Sequence, residues 1–473
     1  VFASCDPLAG NGPWTNIPNQ MAAVPVIAVF DVGKTNKKLL LFDREYQLVH
    51  ERSESLEETI DGDGFPCESV ESLTRWMTDA FRSVVSDHAF TIRAVNFSGY
   101  GASFVLLDED LQVAAPLYNY LKPYPTELEE GFYERYGGRE ELCRRTASPA
   151  LGSLNSGLQL YRLKYENPDL FRKVRHALHL PQYLSFTLSG ALCSELTSVG
   201  CHTHLWDFDA SGYHQWVTEE GIGRIFPPMA DAREPVKSGR PGMIFGTGLH
   251  DSSAALLPYS CSCSEPFVLL STGTWSITLN PFNAEPLSAH ELQNDCLCFL
   301  TPAGAQVKAS RLFSGAEHME WTRRLSAYFG RPEDEFKKVA YDRSVIGRLR
   351  QRNGKGSVEG PQAVDFGQRD LKDFSDFGEA YHQLISDLVG KQIWHTGLVL
   401  GDGGSGDIYV DGGFSRNSIF MRLLAERYPG RRVYSATVSQ ASALGAAMIL
   451  HDKWNDLPMP SEPVAKTRVD TKH

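Results

Sequence analysis

The sequence predicts an α/β protein built from two similar domains, and three observations carry this. At 473 residues the chain exceeds what a single hydrophobic core usually organises. Short β-branched runs of strand length alternate along it with stretches of helical spacing. The same strand–turn–strand pattern occurs twice, in AVFDVGKTNKKLLLFD (28–43) and in PFVLLSTGTWSITL (266–279), with Gly33 and Gly273 240 residues apart.

Taken in order, the N-terminal twenty residues lack a basic segment followed by an apolar one and so do not read as a secretion signal; with the first Met at Met21, residues 1–21 are expected to be a poorly structured extension or an upstream-start artefact. Val26 to Phe30, bounded by Pro25 and Asp31, predicts a buried strand, and Lys38 to Phe42 predicts the second arm of a hairpin. Ser69 to Ser86 and Ser156 to Glu166 predict helices, followed by HALHLPQYLSFTLSG at 176–190. The stretch near 252–265 predicts the boundary between a first domain (22–255) and a second (256–455), with a tail at 456–473. In the second domain Phe377 to His395 and Asn417 to Arg427 have amphipathic spacing, and Gln440 to His451 predicts a helix with a small-residue face.

Composition narrows the function classes. Hydrophobic residues at 42% and charged residues at 22% are ordinary for a globular protein. The excess of 58 acidic over 46 basic side chains, a net charge of -12, disfavours nucleic acid and anionic membranes as partners. No apolar run approaches the roughly 18 residues that span a bilayer. Nine cysteines, an odd number, argue for reduced thiols in the cytoplasm. The C-x-C pairs Cys261/Cys263 and Cys296/Cys298 could offer four thiolates, but the spacing is not that of a C-x2-C knuckle, and packed free thiols are expected.

Four motifs bear on chemistry. Gly33-Lys34-Thr35 resembles the end of a P-loop, yet Ala28 stands where that pattern needs glycine, and the KKLLLFD that follows is extended rather than helical. A turn between antiparallel strands can still hold phosphate through successive backbone N–H groups, with Lys34, Thr35 and Lys38 adding donors; a charged hairpin tip is the alternative. GDGGSG (401–406) satisfies G-x-G-x-x-G but is followed by the strand-like DIYV, so a flexible hairpin turn is expected. In VDGGFSRN, Gly412 and Gly413 let a ligand approach the backbone ahead of a helix opened by Ser415 or Asn417, or else form a tight strand–helix turn. In GTGLHDSSAAL, Asp251 precedes a helix-like run and could accept a proton from a hydroxyl, or serve as an N-cap.

In this order the motifs resemble the FGGY family of carbohydrate kinases, from about Val26 to Leu450. DVGKTNKK is similar to the family's first phosphate motif, with Asp31, Gly33, Thr35 and Lys38 in register; STGTWS resembles the second; VDGGFSRN with QASALGAAM resembles the adenosine-side motif. GLHDSSAAL and STGTWS are nearest in form to those of rhamnulokinases and fuculokinases. The resemblance implies two actin-like, ribonuclease-H-like domains with an interdomain cleft where ATP, Mg2+ and a small sugar meet. It implies Asp251 as general base and Asp31 as a water-mediated anchor for Mg2+. Gly33, Lys34, Thr35, Lys38, Gly273 and Thr274 would contact the phosphates, Gly412, Gly413 and Asn417 the nucleotide, and Gly101, His250 and Ser252 the sugar.

A ketose or deoxyketose of the L-rhamnulose or L-fuculose type is the expected substrate, with another pentulose, hexulose or polyol, or a catalytically silent sugar sensor, as alternatives. A homodimer is left open. Three positions depart from the family pattern: Lys34 replaces a threonine, YNYLKPYP (118–125) stands where many members carry Trp-x-Asp-x-Arg, and Gln440 replaces a frequent glutamate.

Overall fold

In a computed structural model, residues 23–240, 242–263, 265–352, 365–401, 406–438 and 440–470 are described. The predicted extension at 1–21 therefore lies outside the described residues.

The first sheet holds β1 (Val24–Val32), β2 (Lys37–Phe42) and β3 (Leu48–Glu54); after helix α1 (Val70–Val85) come β4 (Phe90–Gly99), helix α2 (Leu180–Ser189), β5 (Ile244–Phe245) and β6 (Leu249–His250). Its order is β5-β4-β1-β2-β3, with β6 also on β4. β1, β2 and β3 are antiparallel neighbours, whereas β4 runs parallel to β1 and to both short strands. Helix α3 (Asp251–Ser262) then leads to the second sheet.

That sheet contains β7 (Phe267–Thr272), β8 (Ser276–Asn280), β9 (Cys296–Leu300) and β10 (Gln306–Leu312). Helices α4 (Ser314–Phe329) and α5 (Phe377–Leu400) follow, then β11 (Asp407–Gly412), α6 (Ser418–Arg427), β12 (Val433–Thr437), α7 (Ala441–Met448) and β13 (Ala465–Arg468). The order is β9-β10-β8-β7-β11-β12-β13. An antiparallel hairpin, β7–β8, is again flanked by a parallel strand, β11, so the repeated sequence pattern marks a repeated topology.

Period-2 alternation explains how these strands pack. Along β1 the odd residues Ile27 and Val29 enter a core shared with Phe267, Leu269, Ala254, Tyr259 and Ala446. The even residues Val26, Ala28 and Phe30 enter another core with Trp76, Met77 and Phe81 of α1. The shared core thus lies between the two sheets and is filled by α3 and α7. These helices cross closely: a Cβ on Gly445 would lie 1.8 Å from the carbonyl oxygen of Ala254, so only glycine fits. Asn96 of β4 donates to the carbonyl of Ala446 at 2.7 Å, tying α7 to the first sheet.

Outer helices are held more by packing than by caps. Ser69 caps α1 by accepting from Ser72 N, worth about 1 kcal/mol. Its seven buried residues, from Val70 to Val84, outweigh that at about 1.5–3 kcal/mol for each large side chain. The helix predicted at Phe377 to His395 continues to Leu400 and ends at Gly401, and β11 begins at Asp407. The hairpin turn expected at GDGGSG falls on 402–405, which lie outside the described residues, between a helix that ends at Leu400 and a strand that begins at Asp407. No helix among the described residues is long and apolar enough to cross a membrane.

Candidate active site

The first turn is positioned by strand register. Asp31 lies opposite Lys38 across β1–β2 and shares the face of Ile27 and Val29, so its carboxylate emerges where α3 and α7 begin. Its Oδ2 accepts from Ser442 Oγ of α7 at 3.0 Å. Lys38 Nζ donates to Gln440 Oε1 at 2.9 Å and lies 3.3 Å from Glu51. Gln440, with a left-handed φ of 65°, caps α7 and so couples the two halves at the first turn.

Lys37 takes the opposite face and is 1% exposed. Its Nζ donates to the carbonyls of Gly33 at 3.1 Å and Lys34 at 2.9 Å, and it pairs with Glu68, which also accepts from Tyr100 Oη. The turn closes by Gly33 N donating to Asn36 O at 3.0 Å, and Thr35 is exposed at its tip. Lys34 pairs with Glu58 at 2.9 Å.

Asp251 opens α3 immediately after β6. Its Oδ1 accepts from Ser252 N at 2.6 Å and Ser252 Oγ at 3.2 Å, and His250 Nε2 lies 3.3 Å away. Oδ2 has no hydrogen bond among the described residues, and the side chain is 37% exposed. The backbone here is fixed from below: His250 N donates to Thr197 Oγ1 at 3.0 Å, and Thr197 Oγ1 donates to the buried Glu195 at 2.5 Å. Burial raises the Glu195 carboxyl to about 7 and holds the His250 imidazole below its ordinary range.

Asp31 and Asp251 interact. Burial, and then the negative charge of Asp251, push the Asp31 carboxyl up to about 6, against the opposing effects of Ser442 and Lys38. A carboxyl whose folded pKa exceeds its unfolded one holds extra protons in the folded state, so ionising it weakens folding as pH rises from about 4 to 6. Asp31→Asn is therefore expected to raise stability by about 1 kcal/mol at pH 7.5, discounted for its partial solvent access, and to leave it unchanged near pH 3.5. Thermal melts at the two pH values check this; equal shifts at both would remove the electrostatic cause.

The second turn and the paired glycines converge on Thr272. Thr272 O accepts from Gly413 N at 2.9 Å, and its Oγ1 accepts from Phe414 N at 3.0 Å while donating to Asp411 O. Gly412 has φ 84°, and a Cβ there would sit 1.8 Å from Thr272 O, so this glycine is required by the fold. A Cβ on the exposed Gly413 would meet nothing within 4 Å, so here the open backbone faces free space. Gly273 and Thr274 are exposed at the tip of the β7–β8 turn. Tyr259, two turns along α3 from Asp251, donates to Asp411 Oδ2 at 3.0 Å, linking Asp251 to the glycine pair through one helix.

Asp31, Lys38, His250, Asp251 and Ser252 are thus gathered around the starts of α3 and α7, with Gly101 against His250: a Cβ on it would lie 3.0 Å from that ring. Gly273, Thr274, Gly412 and Gly413 form a second group through Thr272. Asn417 is occupied structurally: its Oδ1 caps α6, accepting from Ile419 N at 3.1 Å and Phe420 N at 3.0 Å, and its Nδ2 donates to Tyr381 Oη at 2.7 Å. Ser415 lies in a short turn and donates to Gly412 O.

Sequence reasoning missed Lys37, Glu68, Glu195, Ser442 and Tyr120. Tyr120, within YNYLKPYP, packs edge-on against Tyr100 at 5.9 Å, and burial, followed by the charge of Asp251, raises its phenol. The divergent segment therefore borders Asp251. Lys37 carried a signal as a lysine on the apolar phase of a buried strand, and Tyr120 and Ser442 lie within YNYLKPYP and QASALGAAM, segments already singled out by motif.

Residues 26–254 match the model of the FGGY family of carbohydrate kinases, N-terminal domain. The rhamnulokinase of Mannheimia succiniciproducens is 25% identical over 269 residues, 53% of this chain and 52% of that protein. The rhamnulokinase of Pectobacterium carotovorum is 26% identical over 216 residues, 43% and 42% of the two chains. The chain spans about half the length of these relatives. In structure, a carbohydrate kinase from Novosphingobium aromaticivorans superposes with a TM-score of 0.76 at 24% identity over 95% of both chains, a likeness of fold. The fold is the actin-like α/β architecture of these sugar kinases, and residues 26–254, just under half of the chain, carry the likeness to the N-terminal domain of the FGGY family of carbohydrate kinases.

Proposed function

We propose that this protein transfers the terminal phosphoryl group of ATP to a hydroxyl of a small sugar, a ketose or deoxyketose of the L-rhamnulose or L-fuculose type. The observation that carries the reading is Asp251: a half-exposed carboxylate with one oxygen held by Ser252 and the other unengaged among the described residues, within electrostatic range of Asp31. The names of the rhamnulokinase relatives and the order of the four motifs support the sugar class.

The residues present fit ATP with Mg2+. A carboxylate pushed up to about 6 favours a cation beside it, and the open backbone at Gly413 leaves room for a ligand. When bound, the nucleotide and its metal supply the transferable phosphoryl and neutralise its charge. Asp251 Oδ2 takes the proton of the sugar hydroxyl as that oxygen becomes the nucleophile, while Ser252 keeps the carboxylate oriented. Asp31 would hold the cation through water, and Lys38, Thr35 and the N–H of Thr274 would donate to phosphate oxygens, while the N–H groups of Gly33 and Gly273 close the two turns on Asn36 O and Trp275 O. His250, Gly101 and Tyr120 shape the sugar side, where the departure at YNYLKPYP alters the hydroxyl pattern recognised.

ADP release measured over a panel of ketoses, aldoses and polyols is expected to rise well above basal hydrolysis for a ketose. A panel in which no sugar raises the rate would replace the enzyme with a catalytically silent sugar sensor.

A further inference from the structure

Beside Asp251, three soft donors come together from different parts of the chain. Cys201 and His202 follow the short helix Leu196–Val199, and His250 ends β6; one ligand atom from each lies within 4.8 Å of the other two. Cys201 is 1% exposed and His250 2%. Nδ1 of His202 and Nδ1 of His250 are both buried without a hydrogen-bond partner among the described residues. Leaving such a group unpaired costs about 1–3 kcal/mol. Two orphaned nitrogens beside a thiol therefore call for a ligand that accepts lone pairs.

We propose that Cys201, His202 and His250 bind a soft divalent cation, with Zn2+ as the representative ion, in a three-ligand site in which His250 ligates through Nδ1 and turns its Nε2 toward Asp251. The donor set decides the class of ion. A thiolate and two imidazoles suit zinc, whereas Mg2+ takes oxygen ligands, so this cation is distinct from the one that accompanies ATP. Zn–S and Zn–N bonds of about 2.3 and 2.0–2.1 Å bring donors to roughly 3.5 Å from one another, a contraction of at most about 1.3 Å from the 4.8 Å within which they lie.

Burial keeps both imidazoles neutral, which is the ligating state, and raises the Cys201 thiol to about 12, so the ion must displace its proton. Binding breaks the S–H bond, forms the S–metal bond and releases one proton to solvent; no electrons are transferred. Asp251 Oδ1 lies 3.3 Å from His250 Nε2, the place of the outer carboxylate that orients a ligating imidazole. This inference does not rest on the phosphoryl-transfer reading. If that reading holds, an occupied site restrains His250 and draws on the lone pairs of Asp251, so Zn2+ acts as an inhibitor.

The test uses the full chain, reduced and chelator-treated, titrated with Co2+ in place of Zn2+ and followed by absorption without nucleotide or sugar. One equivalent per chain is expected, with a thiolate-to-cobalt charge-transfer band and tetrahedral d–d bands, both displaced by Zn2+. Cys201→Ser is expected to remove the charge-transfer band, and Cys261→Ser, at an exposed thiol, to keep it. His202→Ala is expected to weaken binding by at least the roughly 10-fold that loss of even an outer partner brings. Circular dichroism checks that each variant folds, and His202→Ala decides the matter if Cys201→Ser does not. Absence of the bands in the parent protein, or their survival in Cys201→Ser, overturns the site. A His202→Ala variant that binds cobalt unchanged overturns it as well and assigns that imidazole to the sugar.

Discussion

Asp251→Asn is expected to lower turnover with ATP and an accepted sugar by about 100- to 10,000-fold, the range that a positioned general base supplies. Asparagine is nearly isosteric and its Oδ1 still accepts from Ser252 N, so the start of α3 is retained. What is lost is the basic Oδ2, which no group among the described residues engages. The effect should therefore fall on kcat, with sugar binding by calorimetry within a few-fold of the parent and the melting temperature little changed. A variant with near-normal turnover would remove Asp251 from the role of base. A variant that fails to bind sugar would make it a binding residue instead.

The largest effect on stability is expected at Lys37, a residue with no direct part in the chemistry. Lys37→Met leaves Glu68, 8% exposed, as an uncompensated buried charge, and strips donors from the carbonyls of Gly33 and Lys34. Removing one partner of a buried ion pair typically costs about 3–5 kcal/mol. Urea denaturation should show this as a lowered midpoint at constant m-value. The double variant Lys37→Met/Glu68→Gln should recover much of the loss, because it removes the stranded charge; failure to recover would place the cost in the turn carbonyls. If the turn receives phosphate, the single variant also raises KM for ATP, since the N–H groups of Lys34 and Thr35 share peptide units with the tethered carbonyls of Gly33 and Lys34.

The contrast between Lys37 and Lys38 shows how far the sequence could be read. Neighbouring residues on a strand point to opposite faces, so one lysine reaches Gln440 at the site and the other sinks beneath the turn. The sequence pattern named Lys38 because a motif contains it; nothing local distinguished a buried lysine whose partner, Glu68, is thirty-one residues away. Asn417 illustrates the reverse case. Its place in a glycine-rich motif suggested a nucleotide contact, whereas an asparagine just before a helix is also the usual cap, and here both ends of its amide are used for that and for Tyr381.

The strands, the caps and the repeated hairpin were written locally: β-branched alternation sets strand faces, Ser69 and Asn417 set helix starts, and short polar runs at 33–36 and 273–275 break the apolar strands. Those preferences act over a few residues and need no tertiary context to be read. The coupling of Asp31 to Asp251, the bond from Lys38 to Gln440 and the gathering of Cys201, His202 and His250 were decided only when the two sheets closed on α3 and α7. They depend on contacts between residues dozens to hundreds of positions apart, where burial and neighbouring charge, rather than residue type, set each group's chemistry.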